Sequence, residues 1–252
     1  MSAAPTRCPW LFDAPFAHRG LWLKNGAPEN SMAAFRAASD ADLGVELDVR
    51  VSSDHEAMIF HDDKLERMTG APGLMIEKSA ADLAKIKLRD TGETIPSLSD
   101  LLSAFPNMAL LVEMKVTPGA EGPLEARTAA LLKDRKGPTA VMSFNPATLA
   151  LFATHAPHIA RGQLTTGFKM TPGAQPTLLA LDNDSGAAIS KPDFLSCNID
   201  ALAEYGAPVA KRLGLPLITW TVRTPAQLEI ARNHASNWIF EALPVAEVAL
   251  AR

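Results

Sequence analysis

Only two cysteines, Cys8 and Cys197, occur in 252 residues, and they lie far apart in the chain. That count leaves no room for a disulfide framework or a cysteine-rich zinc site, and a reducing compartment suits it best. Long apolar runs are missing too. The opening MSAAPTRCPWLFDAP holds no stretch long enough for the hydrophobic part of a secretion signal, and nothing downstream approaches 18 uninterrupted apolar residues. Export and a membrane span are therefore not expected, and a cytoplasmic location is. There is no surplus of positive charge, since 24 Lys and Arg face 28 Asp and Glu for a formal net charge of -4 and a pI near 5.9. General attraction to nucleic acid or anionic lipid needs clustered Lys and Arg, so an anionic ligand must be handled locally. What the chain does have is 47% hydrophobic and 21% charged residues, the balance of a globular protein with a sizeable core. Its length is ordinary for one α/β barrel.

Short β-branched or aliphatic runs alternate with Ala/Leu-rich stretches of helical period, the pattern of repeated βα units around a parallel sheet. Eight strands are predicted, around Pro15–His18, Gly44–Val51, Leu110–Val116, Ala140–Phe144, Ala160–Leu164, Phe194–Asn198, Leu217–Val222 and Trp238–Glu241. Helix starts fall between them: Asn30-Ser31 before MAAFRAASDA, Ser97 before LSDLLSAF, and Thr224-Pro225. Two segments break the repeat. Glu56–His61 reads as an extra strand returning beside the second one, followed by a long excursion over 62–96. The stretch 165–192 carries Gly167, Pro172, Gly173, Pro176, Gly186 and Pro192 around one short helical run, LLALD. Both read as loops at the rim of a barrel.

In GVELDVRVS, Glu46 and Asp48 alternate with Val45, Leu47 and Val49, so period-two geometry sends both carboxylates to one face of a strand. In a barrel that face is the interior, where an uncompensated carboxylate is costly. LLVEMKV repeats the arrangement with Glu113 and Lys115. Three converging carboxylates with oxygen-only ligation suit one hard divalent cation, Mg2+ or Ca2+, better than Zn2+. The competing interpretation is that each is salt-bridged at a strand end to Lys115, Arg19 or Arg50, and two independent pairs of this kind weigh against it.

His18 closes the first apolar run before Arg19-Gly20, and His61 follows MIF and precedes Asp62-Asp63. Histidines near carboxylates serve as general base and general acid. His55, His155, His158 and His234 sit in loop-like or helix-like contexts and are read as structural. Arg19 offers a planar fork for phosphate oxygens and Lys115 a compact charge, with pairing to carboxylates as the alternative for both. Glu29, after Pro28 in APENS, either touches metal or substrate or pairs with Arg19. Trp220 in LITWTV is a candidate for stacking on a substrate head group, with core packing the alternative.

The ordered set AHRG, APENSMAAF, GVELDVRVS, IFHDDKLERMTG, IPSLSDLL, VEMK and ITWTV resembles the glycerophosphodiester phosphodiesterase family. The likeness is strong over residues 16 to about 117, then thins until Leu213–Val222. It implies a (β/α)8 TIM barrel with a small insertion after the second strand, with residues 1–252 as a single phosphodiesterase domain. It also implies metal-dependent hydrolysis of a glycerophosphodiester to glycerol 3-phosphate and an alcohol. By the same resemblance His18 and His61 are the acid-base pair and Glu46, Asp48 and Glu113 hold the cation. Arg19 and Lys115 match the phosphate-side cations, and Glu29 matches the PEN glutamate near the site. One departure stands out: the family closes its last strand with an aspartate-containing stretch before a proline, whereas this chain has NWIFEALP, with Glu241 as the nearest acid. That departure and the unfamiliar 165–192 stretch are expected to line the alcohol end of the pocket. The rival readings are a phospholipase D-like enzyme acting on lysophospholipids or sphingomyelin, a catalytically silent phosphodiester-binding barrel, and a metal-dependent isomerase or aldolase on the same fold.

Overall fold

A computed structural model describes residues 7–22, 26–167 and 185–249. Eight parallel strands close into a barrel. In chain order they are β1 (Phe16–His18), β2 (Gly44–Val51), β4 (Leu110–Met114), β5 (Thr139–Ser143), β6 (Ala160–Thr165), β7 (Phe194–Asn198), β8 (Leu217–Val222) and β9 (Asn237–Phe240), with β1 pairing both β2 and β9. The remaining strand, β3 (Ala57–Ile59), lies antiparallel on β2, with Val51 opposite Ala57. The expected TIM barrel with an extra strand and insertion after the second strand is the architecture found: Gly44–Val51, Phe194–Asn198 and Leu217–Val222 have the expected bounds, and the other strands shift at one or both ends by a residue or two.

The helices between strands are α1 (Met32–Asp40), α2 (Glu66–Thr69), α3 (Ala80–Leu83), α4 (Leu98–Ala104), α5 (Pro123–Leu132), α6 (Pro146–His155), α7 (Ser185–Ser190), α8 (Ala207–Leu213), α9 (Pro225–His234) and α10 (Val245–Val248). Their starts follow local chemistry. The Ser31 hydroxyl accepts from the Ala34 amide to cap α1, Ser97 and Asp100 form a reciprocal cap on α4, and Thr224 caps α9 with Pro225 in its first turn. Of the 165–192 stretch, the LLALD run lies outside the described residues, while α7 is a helix that the sequence did not announce.

Alternation along the strands separates two cores. Outward residues such as Val45, Leu47, Val112, Val141 and Leu195 pack under the helices, while Phe16, Leu111, Met142, Leu164, Phe194 and Ile218 fill the barrel. The barrel floor is plugged by Cys8 and Leu11, and the buried Asn237 amide donates to the Leu11 and Ala14 carbonyls at 2.6 and 2.7 Å. Close packing at the floor requires Gly44, because a β-carbon there would stand 2.5 Å from the Phe16 ring. The excursion over 62–96 is more than a rim loop. Met58, Phe60, Leu65, Met75, Leu83 and Ile95 are buried together as a separate apolar cluster that also holds α2 and α3 in place.

Candidate active site

The strand ends of β1, β2, β4 and β9 carry the ionisable groups, at the barrel face where (β/α)8 enzymes place their chemistry. Register does the assembling: His18 lies level with Glu46, and Asp48 with Glu113. Beyond His18 the chain turns through Arg19 (φ 59°) and Gly20 (φ 84°). A side chain at Gly20 would meet the Ala34 β-carbon at 2.8 Å, so both the turn and the approach of α1 depend on glycine. The turn points the Arg19 amide at Glu46 Oε2, 3.1 Å away.

Glu46, Asp48 and Glu113 are 2%, 1% and 8% exposed, and one carboxylate oxygen from each lies within 4.8 Å of the others. Lys115 Nζ sits 2.6 Å from Glu113 Oε1 and 3.2 Å from Asp48 Oδ1, and Arg19 Nε lies 3.4 Å from Asp48 Oδ2. Asn30, in the left-handed region at φ 56°, donates its side-chain amide to Asp48 Oδ2 at 2.9 Å. Burial and the negative charge of Asp48 and Glu113 push Glu46 well above the usual carboxylate range. Burial also lifts Glu113, against the pull of Lys115. For Asp48, burial acts upward but the charges of Lys115, His61 and Arg19 outweigh it and hold the group low. Three buried carboxylates facing two cations leave an excess of negative charge, which a hard divalent ion with oxygen ligands would offset. The three side chains thus fit a Mg2+ or Ca2+ ion in donor type, proximity and charge.

Each histidine is backed by a carboxylate, and each carboxylate by an arginine. His61 Nδ1 lies 2.7 Å from Asp62 Oδ1, and Arg67 Nε donates to Asp62 Oδ2 at 2.5 Å. His18 Nδ1 lies 2.6 Å from Glu241 Oε2, and Arg223 Nε donates to Glu241 Oε1 at 3.2 Å. Burial, reinforced by the Lys115 charge, brings His61 down to about 4. Burial lowers His18 as well, against the opposing bond to Glu241. The neutral imidazole that a lowered pKa favours is the form that accepts a proton.

Of the residues singled out in the sequence, His18, Arg19, Glu46, Asp48, Glu113 and Lys115 meet directly. Glu29 joins them through cations: its Oε1 accepts from Arg19 Nη1 at 2.8 Å and Arg67 Nη2 at 2.6 Å, and its Oε2 from Arg67 Nη1 at 3.1 Å. Arg67 therefore links Glu29 to the His61 side. Trp220 stands apart. Its indole N–H donates to the Ser196 carbonyl at 3.1 Å, and its ring meets the edge of Phe144 with centroids 5.6 Å apart. Sequence reasoning misses Asn30, Arg67, Arg223 and Phe144. Glu241, expected at the alcohol end of the pocket, lies against His18.

The profile of the Glycerophosphoryl diester phosphodiesterase family matches residues 18–241. A glycerophosphodiester phosphodiesterase of Bacillus altitudinis is 35% identical over 166 residues, a match covering 60% of this chain and 65%, just under two thirds, of that protein. Another, from Caldanaerobacter subterraneus, is 27% identical over 225 residues, covering 84% of this chain and 87% of its own. Among solved structures, an Oleispira antarctica phosphodiesterase in complex with the product sn-glycerol-3-phosphate superposes with a TM-score of 0.77 at 24% identity, covering 93% of this chain and 94% of that one. The structural likeness speaks for the fold, and the family profile reaches from the HRG histidine to the glutamate after the last strand. The chain belongs to the glycerophosphoryl diester phosphodiesterase family.

Proposed function

We propose that this chain is one catalytic domain that hydrolyses glycerophosphodiesters to glycerol 3-phosphate and an alcohol, with His18 and His61 as the acid-base pair. The observation that carries the proposal is the placement of two carboxylate-backed histidines around one buried acidic trio. A divalent cation, Mg2+ or Ca2+, held by Glu46, Asp48 and Glu113 supplies a Lewis acid that offsets charge developing on the phosphoryl oxygens. Arg19 and Lys115, released in part from the carboxylates they now pair with, bind non-bridging phosphate oxygens. Glu29 orients Arg19 from behind. One histidine, as the neutral imidazole, takes the proton of the attacking hydroxyl, from water or from the neighbouring glycerol oxygen, and the other, as the imidazolium, delivers a proton to the departing alkoxide. Trp220 forms part of the wall met by the alcohol. Among the described residues no helix is long and apolar enough to cross a membrane. A cytoplasmic location belongs to the same proposal.

The test is turnover of glycerophosphocholine, glycerophosphoethanolamine and lysophosphatidylcholine with Mg2+, Ca2+ or EDTA, for the wild type beside His18→Ala. Metal-dependent release of glycerol 3-phosphate that vanishes in the variant is the expected result. Silence across all substrates and metals sinks the proposal in favour of a binding barrel, and preference for lysophosphatidylcholine moves it to a phospholipase D-like activity. Hydrolysis in 18O-labelled water distinguishes direct attack from a cyclic phosphate path.

A further inference from the structure

Glu241 stands one residue past β9. The β1–β9 register pairs Phe16 with Ile239 and Ala17 with Phe240, so the next step along both chains brings residue 241 beside His18. The Glu241 amide is tied to the Val222 carbonyl at 3.0 Å, which fixes the root of its side chain on the rim. From there its Oε2 reaches His18 Nδ1 at 2.6 Å, while Arg223 meets Oε1 at 3.2 Å and Oε2 at 3.5 Å. The carboxylate is mostly covered, with 16% of its side chain exposed, whereas Arg223 is 49% exposed.

A carboxylate can only accept, so Nδ1 of His18 must carry the ring proton. The other nitrogen, Nε2, then holds the lone pair and faces the acidic trio, 3.9 Å from Glu46 Oε2. The ring's rotation is fixed by the same contact, and two-point capture by Arg223 keeps the carboxylate from swinging away. The His61–Asp62–Arg67 chain across the site repeats this order of groups.

We propose that Glu241 is the positioning residue of His18, setting its tautomer and aiming Nε2 at the reacting phosphate, with Arg223 holding the carboxylate in that pose. The proposal rests on the catalytic role given to His18 above, but its central claim concerns a proton and can be read without turnover.

The experiment is 15N NMR of histidine-labelled full-length protein, with the His18 signals assigned by their loss in His18→Gln, for wild type, Glu241→Gln and Glu241→Ala. Wild type shows the Nδ1–H form. In Glu241→Gln the amide can either donate to or accept from Nδ1, so the two tautomers mix; in Glu241→Ala the preference is gone. Beside this, kcat falls roughly 10- to 100-fold in both variants with KM within a few-fold of wild type, the pattern for loss of an orienting partner. Arg223→Ala, a change at a solvent-exposed side chain, costs only a few-fold in kcat. An unchanged His18 tautomer in Glu241→Gln overturns the proposal, as does wild-type kcat in that near-isosteric variant. If the wild type turns over none of the substrates, the hydrolase reading fails, and the tautomer alone decides the role of Glu241. Should Glu241→Ala fail to fold, Glu241→Gln decides by itself.

Discussion

The two halves of the barrel mouth are built from opposite materials. β1, β2, β4 and the end of β9 turn His18, Glu46, Asp48, Glu113, Lys115 and Glu241 toward the axis, whereas β5 to β8 present Met142, Phe144, Leu164, Ser196 and Trp220. In the charged half the carboxylates are held by ion pairs, Arg19 on Asp48 and Lys115 on Asp48 and Glu113, made by long side chains that other ligands can draw away. In the neutral half the named bonds run to backbone, the Trp220 indole N–H to the Ser196 carbonyl at 3.1 Å and the Thr219 hydroxyl to the Cys197 carbonyl at 2.8 Å, while the buried Ser196 hydroxyl has no hydrogen-bond partner among the described residues. One half gathers buried like charges that a bound cation would relieve, and the other is largely apolar barrel core. Rate should therefore be lost on the charged side and selectivity on the neutral side.

The largest effect expected is from Glu46→Gln. Activity falls by more than about 100-fold, beyond what loss of an orienting partner alone costs, and Mg2+ no longer raises the melting temperature. In EDTA the same variant is more stable than wild type. The sign follows from the raised Glu46 pKa: stability from that group is complete at low pH and is lost as pH climbs toward the folded value, while glutamine does not titrate. The melting-temperature gap in EDTA therefore widens with pH, by about 2–4 °C for each kcal/mol of repulsion at this chain length. A wild type more stable than Glu46→Gln at every pH in EDTA breaks the claim that this half is under electrostatic strain.

The charged half is also the more legible one in the sequence, for a physical reason. Period two within a single strand suffices to face Glu46 with Asp48, and Glu113 with Lys115. Glu241 and His18 are 223 residues apart and meet only because the last strand closes on the first, so no local pattern announces the pair. The sequence puts Asn30 in the helix cap, but Ser31 caps α1 while Asn30 adopts a left-handed backbone conformation and turns to Asp48. The folded character of 62–96 is hidden because Leu65, Met75, Leu83 and Leu88 follow neither helical nor strand spacing. Phe144 looks like any strand residue, since only the curvature of the barrel brings it to Trp220.

Trp220→Ala and Phe144→Ala sharpen the comparison from the other side. Each removes part of an aromatic wall worth about 0.5–1.5 kcal/mol beyond burial. KM for glycerophosphocholine relative to glycerophosphoethanolamine is expected to shift up to about tenfold for that range, with Mg2+ stabilisation intact. A collapse of kcat equal to that of Glu46→Gln, with KM ratios unchanged, would place catalysis on both halves and end the division.

The smallest effect separates Glu241 from the acidic trio although they share one half. Burial acts to raise its carboxyl, but the bond to His18 and the charges of His18 and Arg223 prevail and hold it at about 2, below its ordinary 4.5. A depressed carboxyl contributes stability that is whole above its unfolded value and disappears as pH falls through the folded one. Wild type should thus melt above Glu241→Gln at pH 6, with the difference shrinking between about pH 4.5 and 2. This trend runs opposite to that of Glu46 because one carboxylate has a fixed cationic partner and the other does not. Melting curves in EDTA across that window read it directly: a gap that grows on acidification means that Glu241 is strained in the same way as Glu46, and that the charged half is electrostatically uniform.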